Sequence, residues 1–359
     1  MTRLPPLGSL AALAGAPAAP RAVVAPDSFK GTLAAPEVAV AIARGLERAG
    51  VVPDCCPVAD GGEGTTEILL AACGGEARRA TVHDPLGRSV TACFGLLAPD
   101  GQRAALDMAA ASGLHLVTSR ERHPWLASTY GVGELICAAI AAGARQVLIA
   151  AGGSATVDGG AGAIRAIRDA GGLRGAELSV LCDVRTPWEQ CAEIYGPQKG
   201  ADALMVRRLA DRLEALAGQL PSDPRGLEMS GAAGGLAGGL WSAFGAELVP
   251  GAAFVLDAVG FDQRVELADC VVVGEGRIDA QSTLGKIVGE IGRRARAAHV
   301  PLMAVVGRRE LSLDSARALG IDTIIEAGDT RTIEAAGERI GNELLRRRAR
   351  KPDLAAPDR

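Results

Sequence analysis

Short apolar runs along this chain end abruptly in polar, glycine-rich loops, and most are followed by a pattern of helical period. Ala22-Val-Val-Ala25 reads as a short buried strand, and the loop Pro26-Asp27-Ser28-Phe29-Lys30-Gly31-Thr32 follows it. Val38, Ala41, Ile42, Gly45, Leu46 and Ala49 then recur at i, i+3, i+4, i+7. They predict a helix that begins near Pro36, a residue suited to the first helical position, and is capped by Gly50. Asp27, Ser28 and Lys30 are thereby placed at the carboxyl end of a strand, where open α/β sheets bind ligands. The same order returns at Gln146–Ala150, with the loop Gly152–Gly160 and an Ala/Ile helix after it. It returns again at Cys270–Val273, with the loop Gly274–Asp279 and a helix carrying Val288, Ile291, Ala295 and Ala298 on one face. Leu302–Val306 and Thr323–Ile325 read as further strands. Strands alternating with helices through such loops predict an α/β protein with parallel sheets.

The middle of the chain is patterned differently. Residues 76–115 carry β-type runs separated by the turn signals Asp84-Pro85-Leu86-Gly87 and Pro99-Asp100-Gly101. Residues 202–218 form an amphipathic, charged helical pattern, and Gly231–Gly239 reads as flexible backbone. The expected organisation is one discontinuous α/β domain, residues 21–75 and 265–348, with a second α/β domain, residues 76–264, inserted into it. Residues 1–20, rich in Pro, Ala and Gly, read as a disordered extension, and residues 349–359 as a charged tail. No internal repeat is present.

Composition narrows the partners. The chain has 359 residues with 38 Lys+Arg against 42 Asp+Glu, a formal charge of -4 that argues against nucleic acid as the main partner. Aromatic residues are only 3%, so the core must be built from Val, Leu, Ile and Ala, and base-stacking surfaces are not expected. The eight cysteines include no C-x-x-C pair and the four histidines are scattered, so the thiols read as small buried hydrophobes of a reducing compartment. No apolar run approaches the ~18 residues of a membrane span, and Leu10–Ala14 is too short for a signal core. A cytoplasmic protein with no membrane partner is expected. Oligomeric state is not legible beyond a homodimer being one option.

No Walker A loop, no G-x-G-x-x-G and no G-x-S-x-G occurs, which removes the P-loop fingerprint and weakens dinucleotide and α/β-hydrolase readings. What remains is a set of polar loops of one chemical character. Val58-Ala-Asp60-Gly61-Gly62-Glu63-Gly64-Thr65-Thr66 sets two carboxylates among three glycines, able to hold a hard cation such as Mg²⁺ or to act as ordinary turn residues. Gly152-Gly153-Ser154, with Thr156 just beyond, offers backbone amides to phosphate or merely packs tightly. Asp183 follows a short apolar strand and serves either as a base or as a cap. Lys199 sits in the turn Gly196-Pro-Gln-Lys-Gly200. Glu275, Asp279, Ser282 and Lys286 cluster at a strand-to-helix junction. Amides and lysines for phosphate charge, acids for Mg²⁺ and a carboxylate to take a proton are the inventory of phosphoryl transfer.

Taken together these blocks resemble the bacterial glycerate kinases of the glycerate 2-kinase type. The matching stretches are Ala25–Thr32, Ala59–Thr65, Gly152–Gly160, Cys182–Val184, Gly196–Ala201, Gly231–Gly235 and Gly274–Ser282 with Gly285-Lys286, in the family's order over about residues 21–345. The resemblance implies phosphorylation of D-glycerate by ATP with Mg²⁺, typically to 2-phosphoglycerate, in a cleft between a Rossmann- or flavodoxin-like parallel-sheet domain and an inserted α/β domain. Closure of that cleft would bring the carboxylates of the 60–63 loop into place. Residue chemistry then assigns roles. Asp183 would accept the substrate proton, and Lys199 and Lys286 would stabilise the transferring charge. Asp27, Ser28 and Lys30 would hold the substrate. Gly152, Gly153, Ser154, Thr156 and Ser282 would hold the nucleotide, and Asp60, Glu63 and Asp279 the metal. A kinase of a related small hydroxy acid and a lapsed, ligand-sensing relative are the alternatives. One departure stands out: family members usually carry Asn where this chain has Val157, which would remove a hydrogen-bonding side chain from the glycine-rich loop.

Overall fold

The structure, a computed structural model, describes residues 19–29, 31–278 and 287–350. Lys30, Asp279, Ser282 and Lys286 lie outside the described residues, as do 1–18 and 351–359, which take in most of the expected extension and tail. The described strands are β1 (Arg21–Pro26), β2 (Val52–Cys55), β3 (Gly75–His83), β4 (Ser89–Leu97), β5 (Arg103–Asp107) and β6 (Gln146–Ala150). They continue with β7 (Glu177–Cys182), β8 (Glu247–Pro250), β9 (Cys270–Ile278), β10 (Leu302–Arg309) and β11 (Ile321–Glu326).

The strands form two sheets. The first runs β11-β10-β9-β1-β2 and is parallel throughout. Numbered within the sheet from β2, this is the order 2-1-3-4-5 of flavodoxin-like folds, whose switch point lies between β1 and β9. β1 shows why its residues read as a continuous apolar run. Val23 and Ala25 enter a core with Val271, Val273 and Ile291, while Ala22 and Val24 face the opposite core with Val38, Ile42, Ile333 and Ile340. A strand covered on both faces has no solvent side to alternate with. Each fully buried Val there contributes roughly 1.5–3 kcal/mol.

The second sheet runs β3-β4-β5-β6-β7-β8. β3, β4 and β5 pair antiparallel, whereas β5 through β8 are parallel, so the ends of β5, β6 and β7 share one edge. One face packs Leu106, Ile149 and Val180 beneath Leu135, Ile167 and Leu240. The other packs Ala105, Leu148 and Leu181 against Leu69.

Two helices, Thr65–Cys73 and Gly251–Ala258, are shared between the sheets. Ile68 and Val255 belong to the first sheet's core, while Leu69 and Phe254 pack against the second sheet. Phe261 and Val265 also sit in the first core, so the chain has returned to the first sheet soon after β8. The two passages between sheets touch at glycines: a Cβ added at Gly251 would lie 2.5 Å from the Cα of Gly61, a distance no side chain accommodates.

Two local expectations differ from the structure. The stretch read as a loop after Val273 continues as strand to Ile278, because β10 also extends to Arg309 and pairs Glu275 with Val306 and Arg277 with Arg308. The run Gly231–Gly239 is buried, and Leu236–Phe244 is a helix. Its glycines are there for close packing: a Cβ at Gly238 would lie 2.7 Å from the Trp188 ring. All eight cysteines are free thiols. Among the described residues no helix is long and apolar enough to cross a membrane.

Candidate active site

Loops from the carboxyl ends of β2, β5, β6 and β7 meet where the two sheets adjoin. The 60–64 loop lies directly on the glycine-rich loop after β6: a Cβ at Gly152 would be 2.4 Å from the Cα of Gly62, and one at Gly153 would be 3.3 Å from Glu63 Oε2. Gly152→Ala is therefore expected to force the two loops apart. It should lower stability by about 1–3 kcal/mol as an overpacked contact does. Denaturant unfolding measures this, and an unchanged midpoint would mean the loops separate freely.

The glycine-rich loop is fastened on several sides. Leu114 N donates to Gly153 O at 2.9 Å, and Ala155 N donates to Ser112 O at 2.9 Å. Buried Asp158 accepts from Thr129 N and Oγ1, both at 2.9 Å, and from Gly160 N and Gly162 N. It thereby satisfies donors at the start of the Ala161–Asp169 helix that would otherwise be orphaned.

Lys199 is only 2% exposed. Its Nζ donates to Ser154 Oγ and to Thr156 O, each at 2.7 Å, and lies 5.9 Å from the centroid of the Tyr195 ring. Burial pushes the ammonium down from 10.5 to about 8, while Cys191, Asp158 and Asp183 act in the opposite direction. A cation held in so dry a place strengthens any charge interaction it makes. A cavity of about 250 Å³ opens beside it, lined by Gly152, Gly153, Ser154, Asp183, Tyr195 and Gln198. Asp183, just past β7, also lines a neighbouring cavity of about 200 Å³ with Arg185, Glu228 and Glu290.

The structure thus brings together Gly152, Gly153, Ser154, Asp183 and Lys199 around one space. Thr156 joins them through its carbonyl, whereas its buried hydroxyl has no partner among the described residues. Asp27, Ser28 and Glu63 line a separate, narrower cavity of about 50 Å³. There Ser28 N donates to Asp27 Oδ1 at 2.6 Å. Asp60 is buried, and its Oδ1 accepts from Gly62 N at 3.0 Å, bracing its own turn. Glu63 is more open, with His115 Nδ1 at 3.8 Å from its Oε1. Among the described residues no three His, Cys, Asp or Glu are grouped to hold a metal. Mg²⁺ carried on phosphate needs only one or two protein carboxylates. Glu63, whose carboxylate approaches the glycine-rich loop, fits that smaller requirement.

Sequence reasoning missed Asp107. It ends β5 and accepts from Gly64 N at 2.7 Å, Thr66 N at 3.0 Å and Thr66 Oγ1 at 2.7 Å, tying the second sheet to the start of the Thr65–Cys73 helix. Burial pushes its carboxyl up against these bonds, and the nearby Glu63 charge adds to that. An acid closing the run Arg103–Asp107 is the signal that could have found it. Val157 stands in the same glycine-rich loop. Its side chain is fully buried in a cluster with Trp188, Leu209 and Leu213, away from the cavity. A larger cavity, about 700 Å³, lies at the amino ends of the first sheet's strands, near Asp269, Leu302 and Asp322, and includes none of these loops.

The chain is similar to known proteins over most of its length. A model of the glycerate kinase family matches residues 22–170 and 168–351. A glycerate kinase of Bacillus subtilis is 40% identical over 344 residues, 84% of this chain and 88% of its own. A glycerate 2-kinase of Escherichia coli is 37% identical over 341 residues, 84% of this chain and 89% of its own. A crystal structure from Salmonella typhimurium LT2, described as a candidate glycerate kinase 2, superposes with a TM-score of 0.77 at 32% identity and covers 92% of this chain and 100% of its own. The chain belongs to the glycerate kinase family.

Proposed function

We propose that this protein phosphorylates D-glycerate with ATP and Mg²⁺, giving 2-phosphoglycerate. The observation that carries the reading is the buried Lys199 ammonium sharing one cavity with Asp183 and the Gly152–Ser154 loop. A cation and a carboxylate in one small space suit a transfer in which phosphoryl charge must be balanced while a hydroxyl loses its proton. The Asp183 carboxylate takes the proton of the glycerate 2-hydroxyl as that oxygen bonds to the γ-phosphorus. The bond to the β-bridging oxygen breaks, and ADP leaves. Lys199 and the amides of Gly152–Ser154 balance charge on the equatorial phosphoryl oxygens, which is where phosphoryl-transfer catalysts act. Asp27 and Ser28, with Lys30 beside them in sequence, would reach the far end of the substrate once closure of the cleft joins their cavity to that of Lys199. Glu63 would supply a direct oxygen ligand to Mg²⁺, with Asp60 and Asp279 as further candidates, and the bound ion would neutralise phosphate charge.

An ADP-release assay across D-glycerate, L-glycerate, tartronate and glycolate tests the substrate. D-glycerate should be preferred clearly over the other three. Equal rates on all four, or none on glycerate, would contradict the reading.

A further inference from the structure

Behind the glycine-rich loop, on the side away from the cavity, lies a cation that the proposed chemistry does not use. Arg212 projects from the Ala203–Ala217 helix, and its guanidinium donates to three backbone carbonyls from two separate segments. Nη1 bonds Trp125 O at 2.9 Å, and Nη2 bonds Pro124 O at 3.4 Å and also Val157 O. The guanidinium stacks 4.6 Å from the Trp125 ring, which Arg208 also approaches at 4.6 Å. Burial holds the Arg212 pKa below its ordinary value, and Asp158 is the acid that opposes this.

The point of interest is the pair of neighbouring carbonyls. Thr156 O accepts from Lys199, and Val157 O, one residue on, accepts from Arg212. Successive carbonyls are thus each occupied by a cation. The Val157 side chain is locked in the cluster with Trp188 and Leu213. The peptide that holds Lys199 is therefore joined, at the Val157 Cα, to a residue whose side chain and carbonyl are both held. The 122–125 segment is fixed to the same loop through the same guanidinium, and Gly200, next to Lys199, lies against its first residue: a Cβ there would be 2.9 Å from Arg122 O.

We infer that Arg212 is a positioning residue: by fixing the Val157 carbonyl it sets the Thr156 carbonyl that aims the Lys199 ammonium into the cavity. This rests on the reading of that cavity as the phosphoryl-transfer site. A planar fork suits the task, because a lysine keeps the charge but cannot bind several carbonyls in fixed directions.

The test is steady-state kinetics of Arg212→Lys and Arg212→Gln, with Arg208→Gln as control, each corrected to folded protein and followed across pH. Both Arg212 variants should lose roughly 10- to 10²-fold in kcat, as sub-ångström to ångström misplacement does, with KM for glycerate changed less than about threefold. The alkaline limb of kcat/KM should also move up by about half a unit or more. Burial is the main cause of the lowered Lys199 value, and a loosened loop admits water. Cys191, Asp158 and Asp183, the ionisable groups acting on Lys199, are unchanged in these variants. Arg208→Gln leaves the fork intact and should keep both kcat and the limb. A purely structural role would lower the folded fraction and leave the limb in place. That result, or kcat within twofold in either folded Arg212 variant, overturns the inference. Lys199→Met separates the two readings. If Lys199→Met turns over normally the cavity reading itself fails, whereas loss in Lys199→Met with normal Arg212→Lys refutes only the role of Arg212.

Discussion

Asp183→Asn is expected to lower kcat roughly 10²-fold or more in a protein that still folds. The side chain is placed by β7, whose last residues are fully buried, so the substitution changes charge and basicity and not position. Asparagine keeps shape and one acceptor oxygen but cannot take the proton of the attacking hydroxyl. The Lys199 ammonium and the loop amides remain, so residual turnover above the uncatalysed rate is expected. A coupled assay with saturating D-glycerate and ATP measures the loss. Near-normal turnover would move the role of base to Asp60 or Asp279.

Lys199→Met should cost about 10²- to 10³-fold in kcat, the range seen when one preorganised donor is removed from a developing charge. Its pH signature is more specific. The wild-type ammonium titrates at about 8, so kcat/KM should fall above that pH as the cation is lost. Stability should change in the opposite sense. At neutral pH the lysine is charged in both folded and unfolded chains, and burying the charge costs roughly 3 kcal/mol. Between pH 8 and 10.5 the folded state gives up its proton first. The unfolded state then binds more protons, and stability rises with pH over that window. The difference in unfolding free energy, wild type minus Lys199→Met, should therefore increase by up to roughly 3 kcal/mol across it. Denaturant titrations at several pH values read this directly. A flat difference would mean that Lys199 is not held as a desolvated cation.

Much of this arrangement was legible in the chain. β1, β6, β7 and the helices after β1 and β6 were readable because buried parallel strands are unbroken apolar runs and their helices keep period 3.6. The loops were readable because glycines, acids and hydroxyls cluster at strand ends. What was not legible has physical causes. Glu275–Arg277 lacks apolar character, yet it stays in the sheet because β10 extends to pair with it, and such pairing leaves no local trace. Gly238 looked like a mark of flexibility, although its lack of a side chain serves contact with Trp188. Asp107 and Arg212 act through partners 41 to 88 residues away in sequence, beyond any local pattern. The glycine-rich loop was recognised, but whether Val157 faced the cavity or the core depended on Trp188 and Leu213.

The measurement that tests the central claim most directly is phosphorus NMR of the product formed from D-glycerate, ATP and Mg²⁺. Transfer to the 2-hydroxyl gives a phosphomonoester coupled to one carbon-bound proton, a doublet, and this is the predicted result. A triplet, from phosphate on the terminal CH₂ oxygen, would contradict the assigned regiochemistry, and the absence of any new phosphomonoester would contradict the proposed reaction itself.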